Sequence, residues 1–208
     1  MYFIKKTSYQ QDIDHFKHNG QRFWYGLLLL TILLTPTTLS DFYLGELSFV
    51  FIYAIAGIGL MLLVGYTGLV SLGHAAFLAI GAYTHAVMLA AGLPFLASIL
   101  IATSFTALVG GIVGIPALRM TGIYLAVATL AFAIIVEQII THWESVTGGF
   151  RGMAVADAEI FGVSFVDATS YYYLCLVILI ACILLALNLL RSPSGRAMIA
   201  IRDSEISA

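Results

Sequence analysis

Apolar residues run in stretches near the length that crosses a bilayer, and short polar or proline-containing breaks separate them. A helix rising 1.5 Å per residue needs about 20 apolar residues to cross roughly 30 Å of hydrocarbon. Six stretches meet that demand: Arg22 to Ser40, Leu47 to Tyr66, Leu69 to Ala90, Leu93 to Pro116, Ile123 to Trp143 and Tyr171 to Leu190. The pattern therefore predicts an all-α, polytopic transmembrane helical bundle of about six spans over residues 22–190. Thr35-Pro36-Thr37-Thr38 interrupts the outer third of the first span. The backbone groups freed there must find partners in the protein or in water, because lipid offers none. Residues 1–21 read as a cytoplasmic tail, residues 144–170 as a long outer segment, and residues 191–208 as the start of a cytoplasmic helix.

Composition agrees: 61% of the 208 residues are hydrophobic, 10% are charged, and mean hydropathy is +1.01. Such a chain needs lipid. A net charge of -2 gives no argument for a nucleic-acid partner. Cys175 and Cys182 sit in one apolar stretch and offer neither a disulfide framework nor a metal-ligand pair.

The position of charge orients the chain. Short cytoplasmic loops retain lysine and arginine, and short exported loops do not. With six crossings and the N-terminus inside, Lys5, Lys6, Lys17, Arg22, Arg119, Arg191, Arg196 and Arg202 lie inside, and Arg151 alone lies outside. If the second or third segment failed to cross, five of these charges would oppose four. The outer segment then holds Glu144, Asp157, Glu159 and Asp167, a position suited either to docking a solute-delivery protein or to a plain solvated cap.

Polar residues inside the spans are costly and tend to face a bundle interior or a wet cavity. Ser71 and His74 lie three apart, on one helical face if the third span begins at Leu69, and His85 returns near that face. They either line a solute path or hydrogen-bond to a neighbouring helix, possible partners including a backbone carbonyl. Glu137 is the other intramembrane ionisable group, and its alternatives are a proton or solute path, or a neutral hydrogen-bonded role. The histidines do not form a metal set with the usual spacing. Thr147-Gly148-Gly149-Phe150-Arg151-Gly152 follows a span on the outer side and reads as a turn using positive φ, not a nucleotide loop. Gly110 and Gly114, and Ala75, Ala79, Ala82 and Ala86, have the spacing of close helix-packing faces.

After the last span, Ser192-Pro193 is a helix start: the hydroxyl caps free amides and proline suits the first helical position. The helix it predicts carries Ala197, Met198 and Ile201 on one side, with Arg196 and Arg202 at the edges. That strip fits a groove on a partner protein or the bilayer surface.

Several of these strings occur together in one known family. Gly65-Tyr66-Thr67-Gly68-Leu69-Val70-Ser71-Leu72-Gly73-His74-Ala75-Ala76-Phe77 and Gly81-Ala82-Tyr83 are followed by Ile115-Pro116-Ala117-Leu118-Arg119 and Gly122-Ile123-Tyr124-Leu125-Ala126. Thr129-Leu130-Ala131-Phe132, Thr147-Gly148-Gly149, Ser192-Pro193, Gly195-Arg196-Ala197 and Ala200-Ile201-Arg202-Asp203 come next, in order. From about Phe51 onward the chain resembles the branched-chain amino-acid ABC transporter permeases. That resemblance implies a non-catalytic subunit in a bacterial or archaeal inner membrane that passes hydrophobic amino acids by alternating access. It implies ATP and magnesium on separate cytoplasmic ATPase subunits, a second permease subunit, and an extracytoplasmic solute-binding protein; this chain itself would hold no cofactor. Ser194, Gly195, Arg196, Met198, Ile201, Arg202 and Glu205 match the cytoplasmic coupling loop of such permeases, the charged members orienting it and Met198 and Ile201 filling a cleft of the ATPase. Permeases for urea or short amides share much of the pattern, and an ion-coupled secondary transporter using Glu137 or His74 is the reading from a different class. Arg151 departs from the small or acidic residue expected after the glycine pair. The chain stops at Ala208 inside the coupling motif, which the resemblance reads as a truncated product.

Overall fold

A computed structural model describes residues 19–120, 122–160 and 162–203. Within them the chain is almost entirely helical, and two compact units form, divided between Leu44 and Gly45. The tail residues Lys5, Lys6, His15, Lys17 and His18, and Glu205 of the coupling motif, lie outside the described residues.

The first helix, α1 (Asn19–Leu34), starts inside the segment read as tail and ends in a 3-10 turn, Thr35–Thr37. Around Pro36 the threonine hydroxyls bond back to the preceding turn: Thr31 Oγ1 donates to Leu27 O at 2.9 Å and Thr35 Oγ1 to Thr31 O at 2.8 Å. Thr37 Oγ1 donates to Leu34 O at 2.7 Å.

The remaining spans are α2 (Asp41–Leu60), which continues as a π-helical turn over Met61–Tyr66, α3 (His74–Ala90), α4 (Phe95–Ala117), α5 (Ile123–His142) and, after the outer segment, α7 (Ala168–Arg191). Among the described residues four apolar helices are long enough to cross a membrane, while Arg22–Thr37 and His74–Ala90 are apolar but shorter. The chain is a multi-pass helical membrane protein. Helix α3 packs closely against α4 and also against α5. Gly110 of α4 stands where a Cβ would reach Phe77 at 3.7 Å, and Gly81 of α3 where it would reach Thr106 Oγ1 at 3.3 Å. Small residues let these backbones approach, as their spacing predicts, although Gly114 has nothing within 4 Å. Phe51 of α2 meets Tyr172 of α7 at a ring separation of 5.1 Å, and both are buried.

Two expectations change. The third span does not begin at Leu69: residues 68–73 are not helical and α3 starts at His74. Gly68 adopts φ +72°, the left-handed region open to glycine, which ends the helical path after the π turn. The segment between α5 and α7, read from the sequence as outer, also has structure of its own. It forms a one-turn helix α6 (Glu144–Thr147), a 3-10 turn (Gly149–Arg151) and a short antiparallel hairpin of β1 (Glu159–Ile160) and β2 (Val163–Ser164). Gly148, Gly149 and Gly152 all have positive φ, so the glycine run is the turn that its composition predicts.

Helix α8 (Pro193–Asp203) follows α7 after one residue. Gly195 N–H donates to Ser192 Oγ at 3.3 Å, so Ser192 caps the helix and Pro193 fills its first position as expected.

Candidate functional site: a cleft beside a broken helix

The break between α2 and α3 is held by side chains. Thr67 Oγ1 donates to Leu63 O at 2.5 Å and Leu69 N–H to the same carbonyl at 3.3 Å, closing the π turn. Leu72 N–H donates to Thr129 Oγ1 at 3.0 Å, and Thr129 Oγ1 donates onward to Ala126 O at 2.9 Å. Gly73 is pressed against the Thr129 backbone, where a Cβ would stand 3.1 Å from the carbonyl carbon. A backbone irregularity at membrane depth survives only where its amides find partners or line a cavity. This one does both, because Leu69, Val70 and Ser71 form a wall of a cleft of about 760 Å³.

The same cleft is lined by His74 and Phe77 of α3, by Thr103, Thr106 and Gly110 of α4, and by Leu125, Thr129 and Phe132 of α5. It exists because α4 and α5 both pack on α3, which forms its floor. Its volume falls within the roughly 300–1,000 Å³ of small-molecule sites. Most of the lining is apolar; Ser71, His74 and the three threonines are the polar exceptions. A second cleft of about 490 Å³ continues between the same helices toward Trp143 and Thr147. Phe132 lines both, and its ring stands 5.2 Å from that of Phe77.

The residues singled out in sequence separate on inspection. Ser71 and His74 share the cleft, but not as neighbours on one helical face, because Ser71 belongs to the irregular segment and His74 is the first residue of α3. His74 bonds through Nε2 to the Ala56 carbonyl of α2 at 3.0 Å. A carbonyl only accepts, so this ring nitrogen carries the hydrogen. His74 therefore both lines the cavity and ties two helices. His85 turns to another partner: its Nδ1 lies 2.9 Å from Ser98 Oγ of α4, and Ser98 is fully buried. Glu137 is exposed and lines a separate cleft of about 280 Å³ with Ala79, Tyr83 and Thr141, so it does not join Ser71 and His74 in one site.

In α8, Ser194, Arg196 and Ile201 are exposed, Met198 is half-buried and Gly195 is buried. Arg196 Nη1 reaches Arg191 O at 3.4 Å. Arg202, also exposed, donates from Nη1 to Gly65 O at 2.6 Å, on the π turn. Sequence reasoning missed this contact, and it passed over Thr103 and Thr106, whose place one turn apart in an apolar span was the available signal.

Apolar helices of membrane-spanning length, one broken beside a cleft and the last followed by a capped helix, define a multi-pass helical membrane protein. Residues 42–208 match the family described as branched-chain amino acid transport system / permease component, and the chain belongs to that family. Two curated relatives are the high-affinity branched-chain amino acid transport system permease proteins LivM of Escherichia coli K12 and of Salmonella typhimurium LT2. Each is 35% identical over 181 residues, an alignment that takes in 75% of this chain and 43% of the relative. The chain thus spans less than half the length of these relatives. No solved structure matches it.

Proposed function

We propose that this chain acts in the permease subunit of an ABC importer for branched-chain, hydrophobic amino acids. The observation that carries the reading is the family match over residues 42–208, a stretch that includes the broken segment, the cleft and α8. In this reading the N-terminus is cytoplasmic and the membrane is the inner membrane of a bacterium or archaeon. The outer segment faces a solute-binding protein. Helix α8 meets cytoplasmic ATPase subunits, on which ATP and magnesium are bound, and a second permease subunit completes the pathway. Motion of the ATPases displaces α8 and changes which side of the path is open, an alternating-access cycle.

The mostly apolar lining of the cleft suits an apolar side chain, and Ser71, His74 and the three threonines are its polar members. Ion coupling through His74 and Glu137 has little support: His74 Nε2 is occupied by Ala56, and Glu137 lines a different cleft.

The test uses the complete transporter in vesicles. Leucine uptake should require ATP and persist when a protonophore collapses the proton gradient; uptake that follows the gradient and ignores ATP contradicts the reading. Replacing Arg196 and Ile201 together by alanine should weaken association with the ATPase by about tenfold or more, the scale of losing one well-packed interface anchor. Unchanged association together with unchanged uptake removes the coupling role.

A further inference from the structure

We infer that Arg202 is a positioning residue that ties α8 to the cleft wall, so that displacement of α8 reaches the cleft through residues 65–73. The inference rests on the importer reading above. Two contacts join α8 to this segment. Arg202 Nη1 donates to Gly65 O at 2.6 Å, and a Cβ on Gly68 would stand 3.4 Å from the Arg202 Cγ, so the arginine stem lies along the left-handed glycine.

The segment begins in a π turn, and its last carbonyls lack the regular bonds of a continuing α-helix. A guanidinium presents several donors in a rigid fork and suits such carbonyls better than a single ammonium. From Gly65 the chain runs only a few residues to Leu69, Val70 and Ser71, all of which line the cleft. It then reaches Leu72, whose amide is held by Thr129 of α5. The segment is therefore fixed at one end by α8 and at the other by α5, with the cleft wall between.

Such a strap transmits displacement without needing α8 to touch the cleft. It differs from a merely structural arginine in one respect: its loss separates ATP hydrolysis from transport. The complete transporter, with its ATPase, partner permease and binding protein, is assembled with R202M and R202K, and leucine uptake and ATP hydrolysis are measured in the same vesicles.

R202M should raise the ATP consumed per leucine by about tenfold, the factor for losing one hydrogen bond to a charged donor. R202K, which keeps a charged donor, should recover part of that ratio. If R202M does not assemble, R202Q, which keeps a donor on a shorter stem, reads the same ratio. Uptake and hydrolysis that fall in proportion, or a ratio equal to wild type, overturn the inference while leaving the importer reading intact. A wild-type complex without ATP-dependent uptake overturns both.

Discussion

Replacing Gly195 by alanine should detach α8 from the end of α7 and reduce association with the ATPase by about tenfold or more. The new Cβ would stand 2.5 Å from Leu189 O and 2.6 Å from the carbonyl carbon of Leu190, and would also meet Leu190 O. All three atoms are backbone, so no side chain can rotate away. Relief requires the first turn of α8 to move, which also breaks the Gly195 amide bond to the Ser192 hydroxyl. Gly45→Ala is the control, because an added Cβ there meets nothing within 4 Å and the residue lies in α2, outside the coupling helix, so association should change little. Pull-down of the ATPase on the complete subunit reads the result. Wild-type association by Gly195→Ala would show that the tight turn into α8 is not needed for docking.

Gly73→Ala should have the second largest effect, on the fold around the cleft. Its Cβ would collide with Thr129 O and stand 3.1 Å from the Thr129 carbonyl carbon and 3.3 Å from its Cβ. Overfilling a packed contact costs about 1–3 kcal/mol. Here it also pushes the start of α3 away from α5, opening the Leu72 bond to Thr129. The expected readout is a lower unfolding midpoint in detergent, accompanied by reduced leucine uptake. Gly57→Ala supplies a contrast of opposite sign. Gly57 has nothing within 4 Å, and alanine is the better helix former by roughly 1 kcal/mol. Its midpoint should stay level or rise. Equal midpoints for Gly73→Ala and wild type would mean that the α3–α5 contact is looser than its geometry indicates.

Much of the fold was legible because the membrane permits so few solutions. Long apolar runs must be helices when every backbone group has to be satisfied within the segment, and the ends of α4, α5 and α7 fall within a few residues of those expected. Ser192-Pro193 announced α8, since capping is a local property of two or three residues. The break at Gly68–Gly73 was not legible from hydropathy. Leu69, Val70 and Leu72 are as apolar as the helix that follows; Gly68 ends the helical path, and the contacts that hold the segment open are distant, a hydroxyl on Thr129 and the close approach of its backbone. For the same reason Ser71 and His74 were placed on one helical face that does not exist, although both do line the cleft.

Charge in the sequence did not distinguish roles. Arg196 and Arg202 look alike in sequence, as basic residues flanking an apolar strip. In the structure both are exposed, but Arg196 bonds the nearby Arg191 carbonyl, whereas Arg202 turns back onto the Gly65 carbonyl 137 residues earlier. A partner so far away along the chain leaves no periodic trace. Glu137 likewise stood out as an intramembrane charge, yet the cleft it lines excludes Ser71 and His74. Hydropathy alone marks such a residue as costly and says nothing about which cleft receives it.

In the proposed reading the chain threads the membrane repeatedly and presents α8 on the cytoplasmic side. Single cysteines at Asp157 and at Arg196, in a chain whose Cys175 and Cys182 are replaced by alanine, test it most directly. Intact cells are treated with a thiol reagent that cannot cross the membrane, before and after permeabilisation. The cysteine at 157 should be labelled in intact cells, and the cysteine at 196 only after the membrane is opened. Labelling of position 196 from outside would contradict the account.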